Sequence, residues 1–444
     1  MKNLKKWLAL LLAGVMVVCM LAACGGSDSS DSSSSDDEAE TAASEEEETT
    51  ETTATVKVGA ILVGDETEGY TLAHMNGMEE AVEELAAEGI EVELSYKKLV
   101  PESDEVGTNA LDLIADGCTL IVTNSYGHQY YVDDVVSAYP DVDVVCMTGD
   151  LAADSGYDNL YNAFTKVYES RYVSGVIAGL KIQELIEDGT LSEENLPDAY
   201  DEDGKIKIGY VGAYSYAEVV SGYTAFFLGI QSVVGDTVSM IVKYTNSWFS
   251  EEREAAVAEY LMDQGCVIIG QHADSTGAPA AVQARYNSDN SLVCYSVGYN
   301  VSMLDVAEDV ALTSASNNWN VYYYTLFKAA ALGEEIPQDW AEGYSEDAVC
   351  VTELGTSVAE GTEEVIEEVI EQIKNGELYV FDTSTFTVDG ETITSYTEAY
   401  GLEGTECIAS DGDTYYFDES SIRSAPYFDI RIDGITEIAS DYTD

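Results

Sequence analysis

The sequence predicts an α/β protein of two similar lobes, each a parallel sheet with helices on both faces, followed by a small β-rich C-terminal extension. An internal repeat is the first observation: Lys57-Val58-Gly59-Ala60-Ile61 returns as Lys207-Ile208-Gly209-Tyr210-Val211, and Gly117-Cys118-Thr119-Leu120-Ile121 as Gly265-Cys266-Val267-Ile268-Ile269. A third pair, Val144-Val145-Cys146 against Leu292-Val293-Cys294, keeps the same offset of roughly 150 residues, which suits two copies of a small domain rather than a solenoid unit. Second, short apolar runs alternate with longer segments of helical period, the pattern of parallel strands crossed over by helices. Third, this alternation stops after Asn375, where Tyr, Thr and Ile residues gather around turns such as Asp389-Gly390. Two lobes imply a cleft, and the carboxyl ends of parallel strands at such a cleft are where small ligands bind.

In order, the first lobe (56–166) reads as strand 56–63, helix 73–88, strand 91–98, helix 105–115, strand 120–124, helix 133–138, strand 142–147 and an outgoing strand 159–168. The second lobe (167–306) begins with a helix at 170–186. It continues as strand 205–211, helix 217–232, strand 238–244, helix 251–263, strand 267–271, helix 278–286 and strand 292–297. Residues 307–345, with a helix at 319–332, are expected to return to the first lobe, and a chain that crosses more than once builds a hinge. The remainder, 346–444, holds a charged helix at 362–374 and the β-rich extension.

Ahead of the lobes, Lys2, Lys5 and Lys6 precede an apolar run from Trp7 to Met20 and then Leu21-Ala22-Ala23-Cys24, which reads as a secretory leader over 1–23. The last four residues resemble a bacterial lipobox, which implies Cys24 as a lipidated first residue and a lipid anchor on the extracytoplasmic face of the cell membrane. Residues 24–55 are mostly Ser, Asp, Glu and Thr without an aromatic, too polar to fold, and are expected to act as an acidic disordered tether. Acidic residues number 84 against 18 basic, a net charge of -66, so nucleic acid is a poor partner because it attracts basic surfaces. Among the six cysteines of the body, Cys118, Cys146, Cys266 and Cys294 read as buried thiols, while Cys350 and Cys407 could pair.

Several stretches together resemble the basic membrane protein family of lipoproteins, the purine nucleoside-binding receptors of ABC transporters. They are Glu68-Gly69-Tyr70-Thr71-Leu72-Ala73-His74, Thr123-Asn124-Ser125-Tyr126-Gly127, Tyr168-Glu169-Ser170-Arg171-Tyr172, Thr245-Asn246-Ser247-Trp248-Phe249, Gln271-His272-Ala273-Asp274-Ser275 and Leu312-Thr313-Ser314 leading to Trp319. The resemblance implies a two-lobed, periplasmic-binding-protein-like (type I) fold and an ABC permease as partner. The first loop looks closest to the branch with Gly-Trp-Thr-x-x-His, and Gly298-Tyr299-Asn300 stands where nucleoside-binding members have Gly-x-Asp, so a purine base is expected ahead of a nucleoside.

A purine needs aromatic faces to stack on and fixed polar groups to read its edge. Tyr70, Tyr126, Trp248 and Trp319 are the expected faces. His74, Asn124, Asp274 and Asn300 are the expected polar groups, placed after strands where side chains enter the cleft. Glu169 and Arg171 are expected to serve in an intrahelical or inter-lobe ion pair. No metal, cofactor or catalytic residue is expected, since the His272 and Asp274 pair lacks a third ligand at zinc-like spacing and no hydrolase motif is present. Rival readings are a sensory or adhesive surface receptor, favoured by the extension, and a nucleoside hydrolase.

Overall fold

The computed structural model describes residues 53–443. The expected leader, Cys24 and the tether up to residue 52 lie outside the described residues. In the first lobe β1 (Ala54–Ile61), β2 (Ile90–Lys97), β3 (Leu120–Thr123), β4 (Asp143–Met147) and β5 (Leu160–Thr165) pair in parallel in the order β2-β1-β3-β4-β5. The second lobe repeats this order as β7-β6-β8-β9-β10, from β6 (Ile206–Gly212), β7 (Val238–Tyr244), β8 (Ile268–Gln271), β9 (Tyr295–Tyr299) and β10 (Ala311–Asn317). The repeat in the sequence is therefore a repeat of topology. In this order the strand direction of travel reverses beside β1 and again beside β6, which opens a crevice at their carboxyl ends.

Helices α1 (Gly69–Ala87), α2 (Glu105–Ala115), α3 (Asp133–Ala138) and α4 (Ala152–Ser155) belong to the first lobe, and α5 (Val167–Glu187), α6 (Ala217–Val234), α7 (Glu251–Asp263) and α8 (Gly277–Ser288) to the second. Close approach of α5 and α6 explains two glycines. A Cβ on Gly175 would lie 2.1 Å from the Phe226 carbonyl oxygen, and one on Gly229 would lie 2.1 Å from that of Tyr172. Only glycine lets the two backbones touch. The apolar sequence of α6 has the same origin, because it is buried against α5 on one side and its sheet on the other.

The chain crosses between lobes three times. After β5 it enters α5; after β10 it enters α9 (Trp319–Leu332), which packs on α1; and after β11 (Asp339–Glu342), which pairs with β5, it returns as β12 (Val349–Val351), antiparallel to β10. The three strands of the hinge are tied together: Lys166 N–H donates to the Glu342 carbonyl (2.8 Å), Asn318 N–H to that of Ala348 (2.9 Å), and the Thr165 hydroxyl to the Asn317 side chain. The return expected over 307–345 thus starts later, since β10 stays in the second sheet, where its Ala311 to Ala315 run is buried.

After α10 (Thr362–Lys374) the extension has one small sheet of its own, β13 (Ile408–Asp411) with β14 (Thr414–Phe417), while β15 (Ile435–Ile438) joins the edge of the second lobe's sheet in parallel with β7. The hairpin expected at 386–393 reduces to its turn, with Asp389 and Gly390 both at positive φ (52° and 81°) and a single bridge between Val388 and Glu391. Packing overrides pairing here: Phe381, Phe386, Phe417 and Phe428 turn into the core shared with α5 and α6. All six described cysteines are free thiols, Cys350 and Cys407 included.

One buried acid anchors the extension. Glu419 accepts N–H bonds from Phe428 (2.7 Å) and Tyr427 (3.4 Å) at Oε2, and burial pushes its carboxyl up to about 8. Burial likewise holds Glu169 and Glu254 at about 7. The folded state then keeps protons that the unfolded chain releases above the ordinary value of 4.5, so stability falls as pH rises from there toward 8. Burial lowers the histidines, His74 to about 3, and their opposite contribution is complete above 6.5. Between about pH 6.5 and 8.5 the melting temperature should therefore fall, each acid contributing at most about 1.4 kcal/mol per pH unit. Glu419→Gln should flatten that slope in calorimetry.

Candidate functional site

The loop after β1 and the loop after β8, each leaving a central strand, meet across the lobes: Gly69 N–H donates to the Asp274 carbonyl at 3.2 Å. A Cβ at Gly69 would stand 3.1 Å from that carbonyl oxygen and 3.7 Å from Asn300 Cβ, so the glycine permits the approach. The lobes are shut.

On the first lobe's side, α1 and α9 bring four rings together. The His74 imidazole stacks on the Trp319 indole (4.2 Å between centroids, 19° between planes), and Tyr70 stands edge-on to both, at 4.4 and 6.3 Å. His74 Nδ1 lies 2.6 Å from the Tyr323 hydroxyl. Burial keeps this histidine neutral, its pKa lowered to about 3. Gly77 makes the helix contact possible, because a Cβ there would meet Trp319 Cβ at 2.6 Å.

The second lobe supplies the polar wall. Asn300, in the left-handed region at φ 65°, donates from Nδ2 to Asp274 Oδ1 at 2.7 Å. The Arg171 guanidinium lies 3.5 Å from the centroid of the Tyr299 ring, and its Nη1 donates to the Gln271 carbonyl at 2.6 Å. His272 stands between Arg171 (Nδ1 to Nη2, 3.3 Å) and Glu218 (Nε2 to Oε2, 2.6 Å). Burial first, then the charges of Glu68, Glu254 and Glu218, holds the Asp274 carboxyl well above the ordinary carboxylate range. Burial also raises Glu68, which accepts the Thr71 hydroxyl.

Five buried polar atoms at these residues have no partner in the protein: the Tyr70 hydroxyl, His74 Nε2, Arg171 Nε, Trp319 Nε1 and Asn300 Oδ1. Buried polar groups are nearly always satisfied, so such a cluster at an interface of two lobes makes it the candidate site for a molecule with both donors and acceptors. The acidic wall disfavours anions. A groove of about 590 Å³ lies elsewhere, between α6 and the extension, lined by residues such as Tyr172, Lys205 and Asp433, but it holds none of these atoms.

The expected residues divide accordingly. Tyr70, His74, Trp319, Asp274 and Asn300 come together, though Trp319 lies in the first lobe's core with one face covered by His74. Asn124 instead ties loops: its Oδ1 accepts Val63 N–H (2.8 Å) and its Nδ2 donates to the Thr71 hydroxyl (3.1 Å). Tyr126 turns to Asp150 (3.2 Å) and Tyr130. The Trp248 indole packs with Tyr214 and Tyr216, and only its carbonyl reaches the site, accepting Asp274 N–H at 2.7 Å. No ion pair forms between Glu169 and Arg171, since residues two apart on a helix point to different sides; Glu169 accepts Tyr344 N–H at 2.7 Å instead. Glu218 and Tyr323 carried no signal in the sequence beyond lying on an inward helix face.

Compared with known proteins, residues 68–384 match the model of the Bmp family, described as ABC transporter substrate-binding protein PnrA-like. A purine-binding protein of Brucella abortus (strain 2308) is 32% identical over 327 residues, 73% of this chain and 83% of that one. A Haloferax volcanii protein provisionally named an ABC transporter glucose-binding protein is 26% identical over 316 residues, 71% of this chain and 72% of that one. Among solved structures, ABC transporter solute-binding proteins from Aeropyrum pernix (TM-score 0.56, 16% identity, 76% of this chain and 94% of that one) and Conexibacter woesei (0.53, 18%, 73% and 98%) share the fold.

Removing an unpartnered buried hydroxyl relieves its desolvation, whereas removing a packed indole leaves a cavity. Without ligand, Tyr70→Phe should keep or raise stability within about 1 kcal/mol, and Trp319→Ala should lower it by about 3–5 kcal/mol. Chemical denaturation checks both.

Proposed function

Because the chain belongs to the Bmp family of PnrA-like ABC transporter substrate-binding proteins, we propose that it captures a free purine base between its lobes and hands it to the transporter's permease. The carrying observation is the set of unpartnered atoms on Tyr70, His74, Trp319 and Asn300, together with a desolvated Asp274 held by Asn300. A purine base is flat and neutral and presents ring N–H and amino donors beside ring-nitrogen acceptors, which is the complement of that set. The Brucella abortus relative named as a purine-binding protein supports the same reading.

Each residue then has a task. Asp274 accepts from the base's donors and Asn300 Oδ1 from a second one, while His74 Nε2 and the Tyr70 hydroxyl meet its ring nitrogens. Stacking on one aromatic face contributes about 1–3 kcal/mol, and a few hydrogen bonds bring the sum toward the roughly 8 kcal/mol of a micromolar complex. Since the contacts come from both lobes, they exist only when the lobes are shut. A ligand of this kind shifts the hinge by its differential affinity for the closed form.

ABC substrate-binding proteins work on the extracytoplasmic side of the membrane, and we attribute the attachment here to a lipid on Cys24, on the strength of Leu21-Ala22-Ala23-Cys24. Metabolic labelling with a fatty acid should mark the wild type, and Cys24→Ser should lose the label.

A second reading, a sugar receptor, is favoured by the Haloferax volcanii relative. Titration calorimetry with adenine, hypoxanthine, guanine, their nucleosides and glucose separates the two. A purine base should bind most tightly, and Asp274→Asn and Tyr70→Phe should each weaken it at least tenfold. Binding of glucose with no response to any base would overturn the proposal.

A further inference from the structure

The family match ends at residue 384, and the chain beyond that residue is built into the second lobe. β15 extends that lobe's sheet, and Phe386, Ile408, Phe417, Tyr427 and Phe428 share one core with α5 and α6. From this base the segment reaches the first lobe twice. Arg423 Nη1 lies 3.5 Å from Asp150 Oδ2, both side chains 13% exposed, and Ser424 N–H donates to Asp339 Oδ1 at 3.0 Å. Asp150 lies just after β4 and is held by the Gln129 amide (3.0 Å) and the Tyr126 hydroxyl; Asp339 opens β11. Arg423 is aimed by its own segment, since its Nη2 donates to the Tyr400 carbonyl (3.1 Å) and its Nε to that of Ala425 (3.3 Å).

The same segment also holds the second lobe's site loop. Lys243 pairs with Asp441 at 2.9 Å, Asn246 Nδ2 donates to the Tyr442 carbonyl at 3.1 Å, and the Arg253 guanidinium lies 4.8 Å from the Tyr442 ring. These fix the turn that carries the Trp248 carbonyl, the acceptor of Asp274 N–H. Both walls of the cleft are thus touched by one stretch of chain.

We propose that residues 385–443 form a strap that biases the hinge toward closure, with Arg423 as the residue that grips the first lobe. In a chain of net charge -66 the two acidic lobes repel each other, and a guanidinium set against Asp150 and Asp339 offsets that repulsion where they meet. A largely desolvated pair of this kind leaves a carboxylate uncompensated when it is broken, so opening carries an added cost. Apparent affinity then rises with the closed fraction, for any ligand held between the lobes.

Hydrogen exchange on the full-length protein without ligand tests this independently of which ligand binds. Arg423→Gln should speed exchange in peptides covering 64–74 and 272–276 at least threefold, while the β13–β14 hairpin keeps its wild-type rate. Asp150→Asn, made on the opposite lobe and outside the strap, should do the same, and the double variant should add little to either. Unchanged exchange at 64–74 in both single variants, with the hairpin intact, would overturn the proposal. So would additive effects in the double variant.

Discussion

The buried position of Asp274 constrains the rest of the site. Its backbone carbonyl takes Gly69 N–H from the other lobe, its backbone N–H goes to the Trp248 carbonyl, and its carboxyl is held by Asn300. Ionising a carboxyl in that setting, with Glu68, Glu218 and Glu254 nearby, is unfavourable unless a donor arrives to meet it. Arg171 does not meet it: the guanidinium lies over the Tyr299 ring with Nη1 on the Gln271 carbonyl and Nη2 beside His272, and its Nε is left without a partner. In the proposed function the site favours a neutral molecule rich in N–H groups, and shuts around it.

How the fold delivers this is a matter of duplication. Both lobes use the 2-1-3-4-5 strand order, so both present a crevice beside their first strand, and the three crossings of the hinge set the two crevices mouth to mouth. Aromatic residues come from the first lobe's α1 and α9, and Asp274, Asn300, Glu218 and Glu254 from the second, with Glu68 added from the first. Neither half holds a complete set. Recognition is for that reason coupled to closure, which is the property a transport receptor needs if its permease is to distinguish loaded from empty.

Much of this was legible in the residues. The offset copies of Lys57-Val58-Gly59 and Gly117-Cys118-Thr119 identified the paired sheets, because a strand buried on both faces leaves a compact apolar signature. Five of eight expected site residues meet in one cluster, since a position after a parallel strand is itself a location in space. Tyr126 and Trp248 hold equivalent positions but turn to Asp150 and to Tyr214, choices that depend on neighbours far away in the chain. Strand β15 was unreadable for the same reason: Ile435 to Ile438 puts one apolar and one polar residue on each face, and only the open edge of β7 makes it a strand.

A crystal structure of the protein soaked with adenine tests the central claim most directly. The account predicts the base between Tyr70 and Asn300, its N–H groups on Asp274 and a ring nitrogen within hydrogen-bond distance of His74 Nε2. Adenine seated away from Asp274, or a cleft that admits a hexose and excludes every purine base, would contradict it.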